Sequence, residues 1–123
     1  MAPTWYRDPE TPVVQFDPRL EVSPFTLFRR LREGPAPLLI DVRARPSERS
    51  LEGAERWPGQ EWEPPAGRDV VLFDDDGGEA PAVLRRLHEA GHEQVRMLFG
   101  GLDLYEFSLD PRVVGESTYL TLG

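Results

Sequence analysis

Two short runs in the chain are apolar almost throughout: Leu38-Leu39-Ile40-Asp41-Val42 and Val70-Val71-Leu72-Phe73. Each is too short for a helix and too uniformly apolar for a strand with one wet face. Both therefore read as strands covered on both sides, the environment of a parallel sheet with helices on either face. A weaker third run, Val95-Arg96-Met97-Leu98, follows. Between the last two, Ala80, Val83, Leu84 and Leu87 fall at i, i+3, i+4 and i+7, and Gly91 supplies a stop. Strand, loop, helix and strand make a βαβ unit, so the fold class is α/β with a mostly parallel sheet.

The remaining segments arrange themselves around that unit. Residues 1–19 are proline-rich and lack a helical period, which predicts an extended arm whose Val13-Val14-Gln15-Phe16 adds an edge strand. The domain proper spans 20–108. Ser23 followed by Pro24 is an N-cap and first-turn pair, and Phe25, Phe28 and Leu31 recur at helical spacing until Gly34. Residues 49–68 are rich in Pro, Gly and Glu and offer one short strand at 54–57. A short helix is expected over 102–107. The tail, 109–123, contains the alternating Ser117-Thr118-Tyr119-Leu120-Thr121-Leu122, a strand pattern suited to pairing with the amino-terminal arm or with another subunit. Homo-oligomerisation through the terminal arms is one expectation that follows.

Charge narrows the function classes. With 22 acidic against 14 basic side chains the formal net charge is −8, which disfavours nucleic acid and anionic membrane surfaces and favours a protein partner with a basic surface. No apolar stretch reaches the roughly 20 residues that span a bilayer, and MAPTWYRDPE lacks the basic and apolar regions of a secretory signal. The expected location is cytoplasmic. Cysteine is absent, so disulfides, thiolate nucleophiles and cysteine metal sites are excluded together. Lysine is absent too, and every basic side chain apart from two histidines is arginine.

The second apolar run ends abruptly in Asp74-Asp75-Asp76-Gly77-Gly78-Glu79, immediately before the Ala80 helix. Carboxylates at a helix amino terminus accept its unpaired N–H groups and complement the dipole. Four of them in one turn still require a positive answer.

Taken in order, these pieces resemble a single rhodanese-like domain. LLIDVR (38–43) resembles that family's "LIDVR" strand. LEGAERWP (51–58) resembles its "IPGAxxxP" segment, with Gly53, Ala54 and Pro58 in register. HEAGHEQVRMLFGGLDLY (88–105) resembles its "GYxxVxxLxGGxxxW" ending, with Gly91, Val95, Leu98, Gly100 and Gly101 matching and Tyr105 in place of the tryptophan. The resemblance covers about residues 20–108. It implies a mostly parallel five-stranded sheet with helices on both faces. It also implies an active loop whose inward N–H groups cradle a persulfide or oxyanion. The resemblance sets the 38–42 strand beside the strand that ends at this loop, which makes Arg43 the expected internal counterion of the acidic turn and Arg45 a second, less well-placed candidate.

In that family the loop carries a cysteine nucleophile and arginines. Here Asp74 stands at the nucleophile's position and the basic positions are acidic. A carboxylate cannot carry sulfane sulfur as a persulfide, so sulfurtransferase activity is not expected. The resemblance therefore implies a non-catalytic binding or regulatory module without a cofactor or metal. Its candidate contact residues are Asp74, Asp75, Asp76, Gly77, Gly78, Glu79, Arg43 and Trp62.

VVLFDDDGG also resembles the first motif of haloacid-dehalogenase-type phosphatases, an apolar strand followed by DxDG. That alternative makes Asp74 the nucleophile, Asp76 the acid/base and Mg²⁺ the cofactor, with Asp74 and Asp76 as its metal ligands. That family also uses a downstream basic residue and a late acidic pair. Of the remaining chemistry-bearing residues, His88 and His92 flank a helix end, where packing and the dipole account for them. Trp57 is expected in the core. Trp62, within EWEPP, is a partner-contact candidate, and Asp41 a buried hydrogen-bonding residue at a strand end.

Overall fold

The computed structural model describes residues 16–123. The elements in chain order are β1 (Glu21–Val22), α1 (Pro24–Glu33), β2 (Leu38–Asp41), β3 (Ser50–Leu51), β4 (Glu55–Arg56), β5 (Val70–Phe73), α2 (Ala80–Glu89), β6 (Val95–Leu98), α3 (Gly101–Leu109), the one-turn α4 (Pro111–Val114) and β7 (Leu120–Thr121). Five strands form one sheet in the order β1-β6-β5-β2-β4, and every pairing in it is parallel. The remaining two, β3 and β7, make a small antiparallel ribbon.

The central strands are apolar almost throughout because both faces are covered. All four residues of β2 and all four of β5 are buried, and the period of two sends alternate side chains to opposite layers. Leu38, Ile40, Val70, Leu72 and Val95 meet Ala80, Val83, Leu84 and Leu87 of α2. Leu39, Val71, Phe73 and Leu98 meet Leu27 of α1 and Leu102, Tyr105 and Leu109 of α3 on the other face. Fully burying one such Leu contributes about 1.5–3 kcal/mol. The expected α/β layering, with helices on both faces, is thus present.

The helix boundaries follow from local chemistry. The Ser23 hydroxyl accepts the Thr26 N–H at 3.2 Å and Pro24 occupies the first turn of α1. Gly34, at φ 73°, ends it. The face that α1 buries is Pro24 and Leu27 with Phe28 and Leu31 beside them, whereas Phe25 is 58% exposed. The apolar stripe thus departs from the expected one at Phe25, which lies one residue past the buried Pro24.

Of the expectations for the terminal segments, that for the pairing of the tail changes. The proposed arm strand at 13–16 lies outside the described residues except for Phe16, which packs edge-on against Phe99. The edge strand beside β6 is β1, whose two residues are too few to leave a pattern. Tail residues Leu120–Thr121 pair with Ser50–Leu51 of the same chain rather than with the amino-terminal arm. Thr118 and Leu120 are buried, and the Tyr105 hydroxyl donates to the Thr118 carbonyl, which fastens the tail to the α1/α3 layer. Among the described residues no helix is long and apolar enough to cross a membrane.

Candidate functional site

Residues 74–79 turn the chain from the carboxyl end of β5 into α2. Asp74 is fully buried there. Its Oδ1 accepts the Gly77 N–H at 2.7 Å, and its Oδ2 accepts those of Glu79 and Ala80 at 2.8 and 2.7 Å. The three donors converge because Gly77 takes φ 91°, a conformation that side chains resist. The turn is therefore an anion cradle at a helix amino terminus, and the anion in it is the carboxylate of Asp74 itself.

The other acidic side chains are answered individually. Asp75 Oδ1 accepts Arg43 Nη1 at 3.0 Å and Arg49 Nη2 at 2.9 Å. Asp76 is exposed and accepts the Gly78 N–H at 2.9 Å. Glu79, also exposed, accepts the Ala44 N–H at 2.7 Å and so ties the loop to the segment after β2.

Arg43 is the hub, as expected of the internal counterion. It is 1% exposed, and its five guanidinium hydrogens have five acceptors. Nε and Nη2 grip the two oxygens of Asp41 at 3.0 and 2.9 Å. Nη1 reaches Ser47 Oγ and Asp75, and Nη2 also reaches the Arg49 carbonyl at 2.8 Å. Burial opposes the charge on Arg43, but the bonds to Asp41 and Asp75 outweigh it and raise its pKa. For Asp75, burial pushes the carboxyl up, and Arg49 and Arg43 together hold it below the ordinary value.

Arg49 was not expected from the sequence. Besides Asp75 it binds Asp103 at 2.8 Å and Glu106 at 2.9 Å, joining the loop to α3. Its bonds to Asp103 and Glu106 overcome burial and raise its pKa. The available signal was the surplus of acid at Asp103 and Glu106, which needs a cation from elsewhere in the chain.

The loop rests on the start of α3. The Leu102 and Asp103 N–H groups donate to the Asp74 and Asp75 carbonyls at 2.8 Å each. A Cβ on Gly101, whose φ is 65°, would lie 2.6 Å from the Asp75 carbonyl, so only glycine allows this approach. The Gly100-Gly101 pair, seen in the sequence as part of a motif, is thus the seat of the acidic loop.

Other candidates fall elsewhere. Arg45 is exposed and forms no ion pair among the described residues. His88 Nε2 lies 2.6 Å from the Val95 carbonyl, a packing role. Trp57 and Trp62 are both half-buried against the α2-side core. Trp57, and not Trp62, lines a cleft of about 550 Å³ beside the loop. Among the described residues no three His, Asp or Glu side chains are grouped to hold a metal ion. Comparison of the chain with protein-family models, curated proteins and solved structures finds no match.

Proposed function

We propose that the chain is a rhodanese-like domain without catalytic function, a binding or regulatory module that uses the loop end of its parallel sheet. The observation that carries this reading is the Asp74 carboxylate seated on the Gly77, Glu79 and Ala80 N–H groups. The donors that would hold a substrate anion are already engaged by a group the chain carries itself. The motif order and the all-parallel five-stranded sheet support the family resemblance.

The same contacts weigh against the Mg²⁺-dependent phosphotransferase. An attacking carboxylate must reach both substrate and metal, whereas Asp74 is fully buried and both its oxygens face N–H donors that would repel a cation. Asp76, Glu79 and Asp103 remain exposed at the loop end and present a negative face to a basic partner surface.

Two measurements test the reading. Thiosulfate with cyanide, and a generic phosphomonoester with Mg²⁺, should each show no turnover above that of the Asp74→Asn variant. Wild-type-specific turnover of either would overturn it. A partner retained from a native extract by the immobilised domain should be lost when Asp76, Glu79 and Asp103 are changed to Ser.

A further inference from the structure

The cleft beside the loop has a composition and a place that the acidic turn does not explain. In open parallel sheets, ligands bind outside the carboxyl ends of the strands, where the chain's direction across the sheet reverses. Here the chain leaves β2 toward β4 and leaves β5 the opposite way, toward β6, so the reversal lies between β2 and β5. The cleft opens there, walled by residues that follow β2, β4 and β5 and by one side of α2. Its volume, about 550 Å³, is that of a small-molecule site.

The charged groups around it differ in their availability. Asp41 and Arg43 are buried and bonded to one another, and Arg43 also holds Asp75. The Glu79 carboxylate is tied to the Ala44 N–H. Arg56 keeps a side chain 53% exposed and approaches an acid only at 3.5 Å, the Asp41 oxygen that Arg43 already holds. Arg86 is exposed and has no ion-pair partner among the described residues. With Arg43 held by Asp41 and Asp75 and Glu79 tied to the Ala44 N–H, the charged groups of the wall left for a ligand are Arg56 and Arg86. The cleft is also lined by the apolar side chains of Val42, Trp57, Ala82 and Val83.

We infer that this cleft binds a small aromatic monocarboxylate, its ring against Trp57 and Val83 and its carboxylate met by Arg56 and Arg86. Two arginines without a close acid of their own match one carboxylate. Guanidinium groups bind carboxylates through paired N–H donors, and an indole wall favours a flat apolar body over an aliphatic chain. The site is separate from the Asp74 cradle, which stays filled. The inference rests on the reading of a ligand-binding, non-catalytic domain.

The test is an NMR titration of the full chain with naphthoate, beside neutral naphthamide and cationic naphthylmethylammonium. Naphthoate should bind saturably, with shifts concentrated at Trp57, Ala82, Val83 and Arg86. The amide and the ammonium should each bind at least about tenfold more weakly. Arg86→Gln, a substitution at an exposed position, should keep the wild-type melting temperature and weaken naphthoate by about tenfold; Arg56→Gln should do the same. Absence of saturation, equal affinity for the amide, or an unchanged affinity in both arginine variants would overturn the inference. Recovery of the ligand after incubation separates the two proposals. Bound but converted naphthoate contradicts the non-catalytic reading and leaves the site standing, whereas absence of binding contradicts the site alone.

Discussion

Arg43 Nη1 lies 3.0 Å from Asp75 Oδ1, so a guanidinium sealed at the end of β2 holds the acidic loop that follows β5. The strands are neighbours in the sheet, with Asp41 in register with Phe73. Register thus delivers both partners to one point.

Arg43→Gln should be among the most damaging single changes. It strands the buried Asp41 carboxylate and removes one of the two cations on Asp75. Breaking a buried pair from one side costs about 3–5 kcal/mol. Arg43→Lys should recover little, because an ammonium cannot reproduce five donors in a plane. Chemical denaturation of the two variants checks this.

The pH dependence of stability has a definite sign at Asp75. Its carboxyl is held below its unfolded value by Arg49 and Arg43 against the opposing effect of burial. The stability it contributes is therefore complete above the unfolded pKa of about 3.9 and is lost as pH falls through the lower folded value. The side chain is 39% exposed, so solvent screening limits the effect to about 1 kcal/mol. Asp75→Asn should lower stability at neutral pH by that amount and flatten the acid limb. Asp17 and Asp110, held down by Arg19 and Arg112, titrate alike in both proteins and cancel in the difference.

Gly101→Ala should separate the loop from its seat. The added methyl meets the Asp75 backbone at 2.6 Å in a left-handed conformation, and strain and overpacking together cost at least about 2 kcal/mol. Hydrogen exchange should show faster opening at Leu102 and Asp103, whose amides are bound to the loop. An unchanged melting temperature would contradict the close packing.

Deleting residues 110–123 should destabilise the domain rather than trim a loose end. It removes Leu120 from the core and the Thr118 carbonyl from the Tyr105 hydroxyl, a loss of about 3 kcal/mol or more. Thermal unfolding of the truncated chain checks this.

What was legible in the sequence was whatever rests on continuous apolar pattern. Residues 38–42 and 70–73 read as doubly covered strands because no residue in them except Asp41 is polar, and α2 because its four core positions keep helical spacing. The two-residue strands β1 and β3 were missed, since they exist through pairing partners far along the chain and leave no local period. Phe25 shares the spacing of Phe28 and Leu31 yet faces solvent, because a three-residue spacing fits two adjacent stripes and only the packing against α3 selects one. At the site, the order strand, acidic turn, helix was readable, and Arg43 was nameable as a neighbour in the sheet. Arg49 was not, because its position is set by three acids on two distant segments.

The central claim is that Asp74 fills its own loop's anion cradle, and emptying the cradle tests it most directly. Asp74→Ala should lose about 3 kcal/mol, since three N–H groups lose a charged acceptor. Added formate should then raise the melting temperature of the variant and leave that of the wild-type chain unchanged. A loss below about 1 kcal/mol, with formate acting equally on both proteins, would contradict the account.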